Sequence, residues 1–73
     1  MQVTPMQIQT WLQAGLPGAQ IQVSGDGHHF EAEVVWSEFL GKTMLAQHRM
    51  VYDVLGEKMG GEIHALSLKT RSQ

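Results

Sequence analysis

The sequence predicts a small α/β domain of the α+β type, in which two long helices and three strands follow the order αββαβ. Three observations predict this order. A capping motif opens a helical pattern near the N-terminus, two alternating segments flank an Asp-Gly turn, and a second helical pattern precedes a final alternating segment. If a short helical turn before the second long helix is counted, the order becomes αββααβ.

The first helix is predicted over residues 5–14. Thr4 and Gln7 form a T-x-x-Q capping box, and Pro5 occupies the first helical position, where its missing N–H costs nothing. A glycine and a proline then end the helix. One helix face is apolar, and this face carries Ile8, Trp11, Leu12 and, beyond the end, Leu16.

Two strands are predicted over residues 19–24 and 30–36. The apolar residues that alternate with polar ones are Ala19, Ile21 and Val23 in the first strand, and Phe30, Ala32, Val34 and Trp36 in the second. Between them lies Ser24-Gly25-Asp26-Gly27, and Asp-Gly is a strong hairpin signal. The two strands are therefore expected to pair antiparallel.

The second half of the chain predicts a short helical turn over 37–41, a long helix capped by Thr43 and ended by Gly60-Gly61, and a strand over 62–69. Residues 70–73 are expected to form a frayed tail. The long helix has an apolar face made of Met44, Leu45, Val51, Tyr52, Leu55 and Met59. Strand alternation predicts one face with His64, Leu66 and Leu68 and the other with Ile63, Ala65 and Ser67.

This order of elements predicts where three histidines lie. A strand that returns after a helical crossover favours a parallel neighbour reached by a right-handed route. If strand three lies beside strand two, the start of strand two, with His28 and His29, shares one rim of the sheet with His64. The expected architecture is a three-stranded mixed sheet with the helices packed on one face.

Composition limits the classes of function. Seventy-three residues make one domain, residues 1–73, and the absence of cysteine excludes disulfides, a thiolate nucleophile and thiolate metal ligands. Absence of cysteine also fits a reducing compartment, so we expect a cytoplasmic protein. The N-terminus lacks a signal-peptide pattern, and no segment approaches the ~20 apolar residues of a membrane span. A net charge of −2 is unfavourable for binding phosphate backbones.

Four segments of the chain resemble the BolA family, and more particularly its short bacterial members. These segments are Val23–Phe30 in the hairpin, Phe39–Lys42, Gln47–Tyr52 with its Gln-His-Arg sequence, and Ile63–Thr70 with its Ile-His-Ala-Leu sequence. The likeness covers nearly the whole chain in the right order. It implies an αββααβ fold similar to class II KH domains and a role in iron-sulfur cluster trafficking or iron sensing.

The resemblance also implies a cofactor, a partner and ligands. The partner is a monothiol glutaredoxin, whose cysteine and bound glutathione would complete a bridging 2Fe-2S cluster that this chain does not hold tightly alone. The histidine of the Ile-His-Ala-Leu segment, here His64, is the expected ligand from this chain. The second ligand varies in the family between Cys and His, and here the usual cysteine position holds Asp26, with His28 and His29 beyond it.

The residues themselves leave the second ligand open. Neighbours on a strand point to opposite faces, so His28 shares the parity of Phe30 and His29 opposes it, and parity does not choose between them. The histidine gaps lack the close pairing of a self-contained zinc site. His48 is interpreted as a hydrogen-bonded histidine at the edge of the core, and Asp26 as a cap of the turn.

The sequence also bears on two other classes of function, DNA binding and catalysis. A DNA-binding regulator would use the basic residues Lys42, Arg49 and Lys69, although the junction Gly41-Lys42-Thr43-Met44 lacks the second glycine of a KH G-x-x-G loop. Weak DNA binding is the most we expect from this charge. The sequence has no nucleophile elbow, phosphate-binding glycine loop or paired carboxylates, so we expect neither an enzyme nor a small-molecule substrate.

Overall fold

A computed structural model describes residues 2–73 of the chain. Its long elements are helix α1 (Pro5–Gly15), strands β1 (Gln20–Gly25) and β2 (His29–Val35), helix α2 (Met44–Leu55) and strand β3 (Ala65–Arg71). Single 3-10 turns, Ser37–Phe39 and Gly56–Lys58, lie on either side of α2. The predicted order αββααβ is therefore confirmed.

The three strands form one mixed sheet in the order β1-β2-β3. β1 pairs antiparallel with β2, from Gln20 opposite Val35 to Gly25 opposite Phe30. β2 pairs parallel with β3, starting with His29 opposite Ala65. Both predicted pairings are confirmed, and the parallel pairing brings the N-terminal ends of β2 and β3 to the same rim.

The core lies between this sheet and the two helices on one of its faces. β2 contributes Phe30, Ala32 and Val34, all nearly inaccessible to solvent. The helices cover them with four equally buried side chains, namely Ile8 and Leu12 of α1 and Val51 and Leu55 of α2. Residues of β2 with the opposite parity, such as Glu31 and Glu33, point to the uncovered sheet face, because side chains alternate along a strand.

The caps that the sequence predicts are present. The side chain of Thr4 accepts a hydrogen bond from the Gln7 amide, and the Thr4 amide donates to Gln7 Oε1 at 2.9 Å. Thr43 caps α2 by accepting a hydrogen bond from the amide of Ala46 at 3.1 Å. Both helices therefore begin at the positions that the capping residues Thr4 and Thr43 predict.

Four expectations for α2 and β3 are wrong. The helix ends at Leu55 rather than near residue 59, and Met44 and Leu45 are exposed rather than part of the apolar face. β3 starts at residue 65 and continues to Arg71, and Thr70 within it is buried. Residues 70 and 71 therefore belong to the strand and not to a frayed tail. The carbonyl of Arg71 accepts a hydrogen bond from the Trp36 amide at 3.0 Å, which holds this end of the strand in the sheet.

The predicted faces of strand three also need correction at its start. Ile63 and Leu66 are both buried, although alternation places them on opposite faces. His64 lies between them in a bend, and the amide of Ile63 donates to the Lys58 carbonyl outside the sheet. The alternation therefore begins only at Ala65, and His64 is exposed at the rim. Within residues 2–73, no helix is long and apolar enough to cross a membrane.

Candidate metal-ligand site

The hairpin loop at the rim is held by Asp26. Its Oδ1 atom accepts hydrogen bonds from the amides of both His28 and His29 at 2.9 Å, and its own amide donates to the His29 carbonyl at 3.2 Å. The amides of His29 and His28 hold the pKa of the Asp26 carboxyl below its ordinary value of 3.8. Asp26 therefore caps the turn, as predicted, and one of its oxygens is already used for that.

His28 and His64 lie side by side at this rim. Their ring centroids are 6.5 Å apart, with an angle of 29° between the ring planes. Each residue immediately precedes a member of the first parallel pair, His29 opposite Ala65, so the pairing places them next to each other. Both side chains are exposed, and both are free to turn toward a shared ligand.

His29 takes a different position. It is the first residue of β2, and its parity is opposite to that of the buried Phe30, so it belongs to the uncovered face of the sheet. Among residues 2–73, His28 and His64 form the only pair of neighbouring histidine rings. The structure thus places the ring of His28 beside that of His64, whereas strand parity directs His29 to the uncovered face of the sheet.

Two imidazoles do not complete a metal site. No group of three or more His, Asp or Glu side chains in the described part of the chain is arranged to hold a metal ion. A tetrahedral site needs four ligands. Any metal bound by His28 and His64 therefore needs further ligands from another molecule.

The expectation of a hydrogen-bonded His48 is wrong. Its side chain is half-buried on α2, and its Nε2 atom is buried without a hydrogen-bond partner in the described structure. The neighbouring Gln47 makes the predicted kind of contact instead, because its Nε2 donates to the Lys42 carbonyl at 2.9 Å. Tyr52, which the helical spacing places on the apolar face, is partly exposed and does more than pack. Its hydroxyl donates to the Leu66 carbonyl at 3.2 Å and ties α2 to β3 near the rim, a bond that the sequence pattern does not indicate.

The basic residues proposed for DNA binding do not share one surface. Lys42 precedes α2 and Arg49 lies on its exposed side, whereas Lys69 belongs to the uncovered face of the sheet. Lys69 is paired in register with Glu33, an acidic neighbour. Of the remaining cations, Arg71 lies 3.8 Å from Glu33 and Lys58 covers the ring of Trp11. These positions form no continuous basic stripe across residues 2–73.

Comparison with known proteins shows several relatives of this chain. Protein BOLA2 of Arabidopsis thaliana is 44% identical over 71 residues, covering 92% of this chain and 75% of the plant protein. BolA-like protein 1 of Homo sapiens is 42% identical over 48 residues, 66% of this chain but only 35% of the human protein. The DNA-binding transcriptional regulator BolA of Escherichia coli (strain K12) is 38% identical over 47 residues, covering 64% of this chain and 45% of the regulator.

Solved structures agree with these sequence matches. A bolA protein homologue from Coxiella burnetii superposes with a TM-score of 0.86 at 49% identity, covering 93% of this chain and 88% of that one. The BolA domain of SufE1 from Arabidopsis thaliana superposes with a TM-score of 0.79 at 27% identity, covering 92% and 88%. A family model described as BolA-like protein matches residues 7–73. The family model over most of the chain, the sequence relatives and the superposed structures therefore lead to one conclusion: this chain belongs to the BolA-like family.

Proposed function

We propose that this protein is an adaptor that shares a 2Fe-2S cluster with a monothiol glutaredoxin, for cluster trafficking or iron sensing. The observation that carries the proposal is the exposed pair His28 and His64, with ring centroids 6.5 Å apart, which no third His, Asp or Glu of residues 2–73 joins in a metal-holding group. Such a pair is incomplete alone but suited to a partner that brings thiolates.

The donor set fits iron in such a cluster. Imidazole is a good ligand for iron, and in Rieske centres two histidines replace two cysteines on one iron and raise the reduction potential. His28 and His64 would hold the iron on the side of this chain, and the cluster would supply electron-transfer or sensing chemistry when bound. The thiolates would come from the glutaredoxin and from glutathione, because this chain has no cysteine.

The loop around His28 is built to present that side chain. Asp26 fixes the backbone of both hairpin histidines through two 2.9 Å hydrogen bonds, and it does so outside the sheet, where the imidazoles stay accessible. The Tyr52 hydroxyl on α2 donates to the carbonyl of Leu66, two residues after His64, and so holds the start of β3 against α2. These contacts position the ligands without covering them, which is what an adaptor without a substrate cleft needs.

The direct test is anaerobic reconstitution of the mixed pair. The protein is combined with a monothiol glutaredoxin, iron, sulfide and glutathione, and the complex is isolated by gel filtration. We expect a one-to-one complex whose visible absorption and circular dichroism differ from those of the glutaredoxin homodimer, because histidine replaces part of the thiolate ligation. A cluster that stays with the glutaredoxin homodimer under these conditions would contradict the proposal.

A second candidate, DNA-binding regulation, rests on the printed name of the Escherichia coli relative. The charge distribution does not favour it, because Lys42 and Arg49 lie on the helical side and Lys69 on the uncovered sheet face. Binding to duplex DNA is therefore expected to be weak and to fall steeply with salt. Tight, sequence-selective binding of duplex DNA at physiological salt would favour DNA-binding regulation over cluster sharing.

A further inference from the structure

A second exposed surface lies at the N-terminal end of α2. Three large apolar side chains are exposed within a six-residue segment: Leu40 at 79%, Leu45 at 62% and Met44 at 55%. We call these three residues, together with Lys42 and Arg49, the Leu40 patch. Because apolar side chains are more stable away from water, a partner that covers these three would gain free energy by burying them.

The backbone holds Leu40 outward. The amide of Lys42 donates to the Phe39 carbonyl at 3.0 Å, with Leu40 at φ −57°, ψ 129° and Gly41 at φ 80°. These values define a type II turn, in which the third position favours glycine and the second projects at the corner. Phe39 is buried in the core, so the turn is anchored and presents Leu40 to solvent.

Two cations belong to this surface and have no ion-pair partner. Lys42 lies between Leu40 and Met44 in the chain, and Arg49 follows Leu45 by four residues on the same side of α2. Glu38 and Asp53, the latter four residues after Arg49 on α2, are exposed acidic neighbours, but the only ion pair within residues 2–73 joins Arg71 to Glu33. The whole chain carries a net charge of −2, so the two unpaired cations beside this apolar cluster differ in sign from the protein as a whole.

The Leu40 patch is separate from the histidine rim. The Oγ1 atom of Thr70 donates to Met44 Sδ at 3.3 Å, which fixes the start of α2 beside the C-terminal end of β3. His64 precedes the other end of that strand. Six residues of strand at roughly 3.3 Å each separate the two sites by about 20 Å. The two sites therefore lie near opposite ends of β3.

We propose that the Leu40 patch docks an acidic amphipathic helix of a second protein. The apolar side chains of that helix would cover Leu40, Met44 and Leu45, and its carboxylates would pair with Lys42 and Arg49. This interaction goes beyond the proposed cluster-sharing function and does not depend on it. A nucleic acid fits less well, because two cations attract few phosphates and the three apolar side chains would face a charged backbone.

The test uses two short synthetic helical peptides as probes. Both carry leucines at helical spacing on one face, and they differ only in flanking glutamates against flanking lysines. Each is titrated into the protein while backbone amide signals are followed by NMR. We expect the acidic peptide to shift signals of residues 40–49 and to bind about fivefold or more tightly than the basic one, which corresponds to ~1 kcal/mol.

Variants then separate the two components of the surface. Leu40→Ser with Leu45→Ser should weaken the acidic peptide about tenfold, as expected when two apolar contacts are lost. Lys42→Glu with Arg49→Glu should reverse the preference toward the basic peptide. Met6→Ser is the matched control, since Met6 is 76% exposed on α1 outside the patch, and it should change nothing.

Several results would overturn the proposal. They are equal binding of both peptides, signal changes confined to other residues, or tighter binding of duplex DNA or anionic vesicles at residues 40–49. His64→Ala should bind the acidic peptide as the wild type does, so failure of the cluster-sharing function would leave this measurement unaffected. Retained amide dispersion in each variant shows that it is folded.

Discussion

The proposed sharing of a cluster depends on single side chains at the rim, and His64 is the first of them. Replacing His64 with Ala should change the free energy of unfolding by less than about 0.5 kcal/mol, because the side chain is exposed and packs against little. The mixed cluster should nevertheless become short-lived, since one iron loses an imidazole that the glutaredoxin does not provide. The measurement is the decay of visible absorption beside a urea unfolding curve. A variant complex with the wild-type spectrum and lifetime would remove His64 from the ligand set.

The hairpin histidines provide a matched pair of variants. His28→Ala should shorten the cluster lifetime and change the circular dichroism, because the His28 ring is the one beside His64. His29→Ala should leave both unchanged, since His29 belongs to the uncovered sheet face. The two substitutions remove the same side chain from adjacent exposed positions, so each controls for the other. The opposite outcome would assign the second ligand to His29.

Asp26 should make the hairpin sensitive to acid. Its folded pKa is lowered by the amides of His29 and His28, so the carboxylate stabilises the loop fully above its ordinary, unfolded pKa of 3.8. That stabilisation is lost as pH falls through the lower folded pKa. Asp26→Asn keeps an acceptor oxygen but removes the charge. The variant should therefore be less stable than the wild type at pH 6, and the difference between their free energies of unfolding should shrink as pH falls toward ~3. A difference that does not vary with pH would contradict this.

At the scale of elements, the contact between α2 and β3 near the rim depends on Tyr52. Tyr52→Phe removes only the hydroxyl that donates to the Leu66 carbonyl and should lower the free energy of unfolding by about 0.5–1.5 kcal/mol. The start of β3 should also exchange its amide hydrogens faster. Chemical denaturation and hydrogen exchange measure the two effects. Unchanged stability with unchanged exchange would show that the helix packs against the strand without help from this bond.

At the scale of the whole molecule, the protein should hold no cluster by itself. It has no cysteine, and within residues 2–73 no third His, Asp or Glu side chain joins the His28–His64 pair. Anaerobic reconstitution with iron and sulfide, followed by desalting, should therefore give a colourless protein with no bound iron. The same treatment with the glutaredoxin present is the control. A stable 2Fe-2S spectrum from the protein alone would show that it is more than an adaptor.

The sequence determined the order of elements, the two helix N-termini and the antiparallel hairpin, because each depends on contacts between near neighbours. Thr4, Gln7 and Thr43 cap helices within three residues, and Asp26 closes its own loop. The sequence also led correctly to a shared rim for His64 and the hairpin histidines, since a helical crossover makes the neighbouring strand parallel.

Only the tertiary structure decided which hairpin histidine lies beside His64, and the reason is register. A shift of one residue exchanges the two faces of a strand, and local sequence does not fix where β2 and β3 begin pairing. The same limit applied to Ile63 and His64, where a bend interrupts the alternation before β3. A related limit applies to Met44 and Leu45, which follow helical apolar spacing. Both stay more than half exposed at the first turn of α2, although Met44 contacts Thr70 of β3, because the burial of a helix face depends on what packs beside it.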